Sequence, residues 1–344
     1  MPSTTRIAVY LAGLAYGPDR FRLMLDHARL ADELGFHAIT TSAHVTMGVD
    51  DGPMGHARYR SFSDLRRLRD TYPPDHPMLH PPRNIPCLEA MSTMAAFAAV
   101  TSSVELITSL VPAPLYPAPL LAKSAATVDR LSGGRLRLGV TASWDEVEYL
   151  ALGADFARRG QLLDDTVAAC QALWAHGDDE PVSFQSPTIS FADIFCAPKP
   201  VSPGGIPVYY GGPFSKRTVR RVSTVGSGWF PWLVPPDRLP HCIQQISDAA
   251  REAGRDPQLI DYALNLPSIA ADGTPAAMWT RADVDRSVER APELIAAGAS
   301  LIVVAPHTFY DEPEEGEATL RRVAALLAEQ GLLETPGKTP GECP

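Results

Sequence analysis

Short apolar runs rich in β-branched residues alternate along this chain with longer stretches in which apolar residues recur every three or four positions. These are the signatures of strands and amphipathic helices. The alternation is clearest in Val104–Trp144. Val104–Leu110 reads as a strand, Pro117–Arg130 carries Leu120, Leu121, Ser124 and Val128 at helical spacing, and Arg135–Val140 reads as a second strand. Neighbouring strands joined through a helix lie parallel. The turn between helix and second strand, Leu131-Ser132-Gly133-Gly134, supplies the left-handed positions that end a helix. These glycines precede a strand, whereas a dinucleotide-binding fingerprint needs them after a strand and opening a helix, so that reading is excluded.

The same unit extends in both directions. Arg6–Leu11 reads as the first strand, Asp19–Leu34 as a helix with Phe21, Leu25, Ala28 and Ala31 on one face, and His37–Thr41 as the second strand. From Val45 to Pro86 the periodicity gives way to Gly, Pro, Arg, Asp and His. An irregular stretch of that length is usually functional or disordered. Pro86–Thr101 is a helix opened by proline. After the fourth strand, Asp145–Gly153 and Arg159–Trp174 are helical, the second with Leu163, Val167, Cys170 and Trp174 as its buried stripe, and Val182–Ala197 reads as a small hairpin. Pro207–Gly211, Ser227–Phe230, Leu259–Leu266 and Leu301–Ala305 complete the strands, followed in turn by helices at Phe214–Thr224, Pro236–Gly254, Arg281–Gly298 and Glu314–Gly331. Eight strands alternating with eight helices predict an α/β fold, a closed parallel (β/α)8 TIM barrel forming one domain over residues 1–333. An insertion at 45–86 follows strand two, the hairpin precedes strand five, and a loose Gly/Pro-rich tail occupies 334–344.

Composition narrows the class without choosing a chemistry. Hydrophobic residues make up 45% and charged residues 20%, as in ordinary globular proteins. The net charge of -10 argues against a nucleic-acid partner. Ile7–Gly17 and Ala90–Val100 are too short to span a bilayer, and the first lacks the flanks of a signal peptide, so a cytoplasmic enzyme without membrane contact is expected. Cys87, Cys170, Cys196, Cys242 and Cys343 are odd in number and never paired as Cys-x-x-Cys, which points to neither a disulfide framework nor a zinc site. His76 and His80 lie four apart, but Pro77, Pro81 and Pro82 forbid the helix that would align them, so no metal is expected.

In such a barrel the chemistry sits at the C-terminal ends of the strands. That rule leaves His44 past strand two; Thr108, Ser109 and Leu110 on strand three; Thr141, Ser143 and Trp144 past strand four; and Gly211, Gly212, Ser215 and Lys216 past strand five. It also keeps Trp229 on strand six, Asn265 on strand seven and His307 past strand eight. His44 is the acid/base candidate because imidazole titrates near neutral pH; the competing reading is a histidine that only bonds its own loop. Tyr209–Lys216 runs from a strand through two glycines into a helix and gathers N–H groups, a hydroxyl and a lysine around one point, as barrels do for phosphate. A plain strand-to-helix turn is the alternative. Thr141, Ser143 and Trp144 offer hydroxyls and an aromatic face to a cofactor, or Trp144 only packs the first turn of its helix. Asp129 and Arg135 read as a pair holding the Leu-Ser-Gly-Gly turn, and Glu148 and Arg159, flanking the break at Gly153, read as structural.

Ala31-Asp32-Glu33-Leu34-Gly35-Phe36 leading to His44, then Ala99-Val100-Thr101, Pro119, Ala122-Lys123 and Asp129-Arg130-Leu131-Ser132-Gly133-Gly134-Arg135-Leu136, occur in a specific order. Trp144, Glu148, Gly153, Arg159-Gly160, Leu173-Trp174, Pro198-Lys199-Pro200, Ile206-Pro207, Gly211-Gly212 and Gly228-Trp229 continue it. In this the chain resembles the bacterial-luciferase-like monooxygenase superfamily. The resemblance implies a flavin or the deazaflavin coenzyme F420 across the C-terminal mouth, with His44 beside its reactive ring and the loop after strand five on its phosphate. It implies that Thr108–Leu110 supports the ring, often through a bulge or a non-proline cis peptide. Relatives often carry Gly-x-Gly-Trp where this chain has Thr141-Ala142-Ser143-Trp144. Two mechanisms are open on this scaffold. In one, F420 exchanges hydride with a small organic substrate while His44 handles the proton; in the other, FMNH2 from a separate flavin reductase and dioxygen oxygenate the substrate in a water-poor pocket. The Asp-Arg-Leu-Ser-Gly-Gly-Arg segment resembles the deazaflavin-associated branch, which favours F420 over FMN. A non-catalytic flavin-binding relative is a third reading, against which retention of His44 and the Gly-Gly loop stands. Homodimers are common among relatives.

The 45–86 insertion follows the strand that presents His44, so it is expected to overhang the active site as a lid that selects the substrate, with Tyr59 and Phe62 among its aromatic members. Deleting Gly52–Asp75 should lower turnover more than cofactor affinity; steady-state kinetics beside a cofactor titration checks this, and equal loss of both would count against a lid.

Overall fold

A computed structural model describes residues 5–16, 19–46, 87–202, 204–276 and 281–334. The strands are β1 (Arg6–Tyr10), β2 (Ala38–Thr41), β3 (Glu105–Thr108) with its short continuation β4 (Val111–Pro112), and β5 (Leu136–Thr141). The antiparallel hairpin β6 (Val182–Gln185) and β7 (Ser190–Ile194) comes next, then β8 (Val208–Gly212), β9 (Gly228–Pro231), β10 (Asp261–Asn265) and β11 (Leu301–Val304). Parallel pairing runs from β3 through β2, β1, β11, β10, β9 and β8 to β5, and β3 pairs β5, so the sheet closes on itself as an eight-stranded parallel barrel. Around it lie α1 (Phe21–Glu33), α2 (Ala90–Val100), α3 (Ala118–Ser132), α4 (Glu146–Ala151), α5 (Arg159–Ala175), α6 (Lys216–Thr224), α7 (Leu239–Glu252), α8 (Val284–Val288), α9 (Ala291–Ala296) and α10 (Gly316–Glu329). The predicted (β/α)8 architecture is the one observed. Residues 47–86 of the insertion, with Tyr59 and Phe62, and the tail from 335 lie outside the described residues.

Strand alternation sorts the side chains into two cores. Ile7, Val9, Ile39, Leu106, Leu136 and Leu138 face outward into the layer between strands and helices, where the expected stripe Leu163, Val167, Cys170 and Trp174 also packs. Ala8, Ala38, Ile107, Ala263, Leu301 and Val303 face inward, with Tyr10 and Phe230 against them. Beside this cluster packs a side chain from an irregularity in the third barrel strand. Ile107 pairs with Arg137 and Val111 with Val140, so four steps along this strand match three along β5. The extra residue is a bulge. It brings Leu110 over Gly139 of the neighbouring β5 and Gly211 of β8, where an added Cβ would lie 2.9 Å and 1.8 Å from the Leu110 methyls.

Polar groups seal the opposite, N-terminal end. Arg6 of β1 bonds Glu105 and Asp261, Arg137 donates to Glu105 at 2.7 Å, Ser300 donates to Asp261 at 2.8 Å, and Tyr209 donates to Asp261. Each carboxylate therefore meets several donors, as a partly buried charge requires.

Three local expectations are corrected. The helix expected from Pro86 starts at Ala90, because the Glu89 carboxylate accepts the N–H groups of Met91 and Ser92 as its cap. The single helix expected over Arg281–Gly298 is two: Asp283 caps α8, and Pro292, which has no N–H and disfavours helix in the residue before it, opens α9 after a break. Asp129 and Arg135 do not pair. Asp129 accepts the Val201 N–H at 2.7 Å, while the Arg135 guanidinium donates to the carbonyls of Ser132, Val104, Thr101 and Ala98 and so fastens the turn into β3 to the turn into β5.

Asp32 fastens α1 to the same region by accepting the N–H groups of Ser102, Ser103 and Val104 and both serine hydroxyls. Partial burial pushes its pKa up, but these bonds outweigh it and hold the group at about 2. A folded pKa below the unfolded value of about 3.9 gives stability that is fully present above that pH and lost as the pH falls towards the folded value. Asp32→Asn should therefore lower the melting temperature at neutral pH and shrink its fall on acidification, as thermal melts across a pH series would read. Parallel pH curves for the two proteins would contradict this role.

Candidate active site

The C-terminal mouth is built from the residues that follow each strand. After β2 the chain runs through Ser42 and Ala43 to His44, while Thr41 donates its hydroxyl to the Leu11 carbonyl and so ties this strand end to β1. The His44 ring meets Trp144 edge-on, with centroids 5.8 Å apart, and its Nδ1 stands 3.6 Å from Glu148 Oε2. Glu148, one turn into α4, is fully buried. Its Oε1 accepts the N–H groups of Val45 at 2.6 Å and Thr46 at 3.4 Å, and its Oε2 accepts the Ser143 hydroxyl at 3.2 Å. The acid expected to be merely structural thus joins the loop after β2 to the loop after β5. An acid in a first helical turn ordinarily reads as a partner for the helix dipole, and its spacing from Trp144 gave no hint of the loop that it reaches.

Ser143 adopts φ +56°, in the left-handed region that side chains rarely enter. This path is supported by the Ser143 N–H on Thr141 Oγ1 at 3.3 Å, and the Ser143 hydroxyl bonds Glu148. Tyr149 holds this loop by donating to the Ala142 carbonyl.

At the floor, the Thr108 hydroxyl is spent on Gly139, donating to its carbonyl and accepting its N–H, both at 2.8 Å. The Ser109 N–H donates to the Thr41 carbonyl, and the Ser109–Leu110 peptide is cis, beside the bulge. Gly211 lies within β8 and faces Leu110, so packing alone demands its missing side chain. Gly212 has φ +147° and open space where a Cβ would stand, while its carbonyl accepts the Trp229 indole N–H at 3.1 Å. Trp229 itself is fully buried against Phe214, with its polar edge consumed. Ser215 caps α6 by accepting the Thr218 N–H, and Lys216 is exposed beside it. Across the mouth, Asn265 ends β10 exposed and on the same strand face as the inward Ala263. His307 lies in the turn after β11, 5.7 Å from Tyr10, and burial pushes its pKa down to about 4, which keeps it neutral at physiological pH. The structure thus joins His44, Ser143 and Trp144 around Glu148, gathers Thr108, Ser109, Leu110 and Gly211 at the floor, and leaves Trp229 in the core. Among the described residues no cluster of His, Cys, Asp or Glu is arranged to hold a metal ion, and no helix is long and apolar enough to cross a membrane.

The family model described as luciferase-like monooxygenase matches residues 5–338. The chain belongs to that family. One relative of this luciferase-like protein is the uncharacterized protein Rv0953c of Mycobacterium tuberculosis, 29% identical over 68% of this chain and 76% of that protein. Another is the FMNH2-dependent dimethylsulfone monooxygenase of Pseudomonas putida, 25% identical over 54% of this chain and 49% of that enzyme. Among solved structures, the monooxygenase RslO1 from Streptomyces bottropensis superposes with a TM-score of 0.69 at 21% identity, covering 95% of this chain and 99% of that one. An F420-dependent secondary alcohol dehydrogenase superposes with a TM-score of 0.68 at 17% identity, covering 93% and 98%. At these identities the structural neighbours establish the shared luciferase-like barrel and nothing finer.

The Leu110 contacts separate two glycine substitutions. In Gly139→Ala the new methyl would meet the Thr108 carbonyl at 1.9 Å, a backbone atom, whereas in Gly211→Ala it would meet only the end of the Leu110 side chain. Gly211→Ala should cost about 1–3 kcal/mol, recovered in part when Leu110→Ala is added, and Gly139→Ala should cost more without such rescue. Denaturant unfolding of the wild type, the three single variants and the two double variants with Leu110→Ala measures this, and strictly additive losses for Gly211→Ala and Leu110→Ala would refute the contact.

Proposed function

We propose that the protein is a coenzyme F420-dependent oxidoreductase that moves hydride to or from a small organic substrate, with His44 carrying the accompanying proton. The observation that carries this reading is the setting of His44, at the barrel mouth against Trp144 and a fully buried carboxylate. Bound F420 supplies a two-electron hydride donor or acceptor. When hydride leaves or reaches a carbon that bears oxygen, a proton must leave or reach that oxygen, and imidazole is the side chain suited to exchange it near neutral pH.

The residues present fit such a group. Leu110 and Ser109 form a floor for a planar ring, with Thr108 locking the strand beneath, and Thr141, Ser143 and Trp144 flank it on the side of β5. The open approach at Gly212 with Ser215, Lys216 and the first turn of α6 suits a phosphate, as the N–H groups and dipole of a helix start favour an anion. Asn265 and a neutral His307 face the mouth from the opposite side, where they would meet the substrate as hydrogen-bonding groups without charge. Gly211 and Trp229 act on the cofactor only indirectly, by shaping the backbone that meets it.

The F420-dependent alcohol dehydrogenase supports this reading through a shared scaffold. The sequence likeness to the dimethylsulfone monooxygenase favours a second reading, oxygenation by FMNH2 and dioxygen with a separate flavin reductase. Calorimetric titrations with F420 and FMN, each oxidised and reduced, decide between them. Tight F420 and weak FMN binding is expected. Preference for reduced FMN, with oxygen-dependent absorbance changes, would transfer the conclusion to the monooxygenase, and binding of neither would leave a non-catalytic relative.

A further inference from the structure

Glu148 is an acid of the mouth, fully buried, that hydride transfer leaves without a task. A fully buried carboxylate is costly unless donors surround it. Oε1 has two, the N–H groups of Val45 and Thr46, which directly follow His44 in the chain. Oε2 has one, the Ser143 hydroxyl, and on its open side stands His44 Nδ1 at 3.6 Å. That nitrogen is itself buried and makes no hydrogen bond. The unpartnered imidazole nitrogen and a carboxylate oxygen with room for a second donor complete each other when Nδ1 carries the proton. Separations of this size commonly tighten when a catalytic site is filled.

The arrangement is directional. An ionised carboxylate only accepts, so the ring nitrogen that faces it must be the donor. In neutral His44 the lone pair then belongs to Nε2, the nitrogen turned away from Glu148. The edge-on contact with Trp144 restricts the ring on its other side. The carboxylate is held by the backbone of the same loop that carries the histidine, so its position relative to the ring does not depend on a mobile side chain.

We propose that Glu148 is a positioning residue that fixes His44 as the Nδ1–H tautomer and so presents Nε2 to the mouth as a proton acceptor. The functional consequence rests on the reading of His44 as the proton-transfer group. In the oxidising direction the proton leaving the substrate oxygen bonds to Nε2, and the carboxylate steadies the imidazolium that results; in the reducing direction the same N–H returns it. The tautomer itself can be measured without cofactor or substrate.

Long-range nitrogen–proton correlation spectra of the nitrogen-15-labelled full-length protein, recorded above the imidazole titration range, read the tautomer, with the His44 signals identified by their loss in His44→Gln. The wild type should show Nδ1–H. Glu148→Gln keeps an oxygen for the Val45 and Thr46 N–H groups but turns an amide NH2 towards Nδ1, so His44 should switch to Nε2–H. Glu148→Asp keeps a carboxylate and should keep the wild-type tautomer. An Nε2–H signal in the wild type, or an unchanged tautomer in Glu148→Gln, would overturn the assignment, and the first of these does not depend on any Glu148 variant folding. F420 and FMN titrations of the same samples provide a separate readout: a wild type that binds neither would overturn the functional reading while the tautomer result stands.

Discussion

One side chain, Leu110, ties together the packing of three neighbouring strands inside the barrel. The inner cluster mixes Ala8, Ala38 and Ala263 with the larger Ile107, Leu301 and Val303, and Gly139 and Gly211 face the third strand. A closed eight-stranded barrel is filled, not hollow, so the space beside the two glycines needs an occupant. The bulge between β3 and β4 supplies it by adding a residue on one strand only. The same extra residue shapes the base of the mouth, because Leu110 lies over β5 and β8. Core packing and site geometry are thus one constraint, and the two glycines belong to it as much as to any ligand.

Charge is divided between the two ends of the barrel according to task. At the N-terminal end Arg6, Arg137, Glu105 and Asp261 neutralise one another, with Tyr209 and Ser300 completing the hydrogen bonds. Such a plug stabilises and has no group left to react. The mouth is arranged differently. His307 is held neutral by burial, Thr108 has its hydroxyl consumed by Gly139, and the buried Glu148 is directed at a single imidazole. The loop after β2 and the loop after β5 are coupled through that carboxylate, so His44 and the Trp144 ring beside it are placed together.

The sequence by itself determined the architecture. Periods of two and between three and four residues mark strand and helix locally, and eight such alternations leave little but a closed parallel barrel. It also determined the family, through motifs spread over most of the length, and it limited the chemistry to the strand ends. Helix boundaries were legible except where a side-chain cap or a proline decided them, as at Glu89 and Pro292.

What only the tertiary structure decided are relations between positions distant in the chain. That Gly211 is small for Leu110, that Trp229 spends its N–H on Gly212, and that Glu148 lies beside His44 all join separate βα units. Nothing in local spacing encodes such contacts, because periodicity reports which face of an element is buried and not which element it meets. Ser143 shows the boundary between the two kinds of information. Its departure from the glycine of the resembled motif was visible in the chain, but only the folded loop showed that its backbone is left-handed and that its hydroxyl has a buried carboxylate to bond.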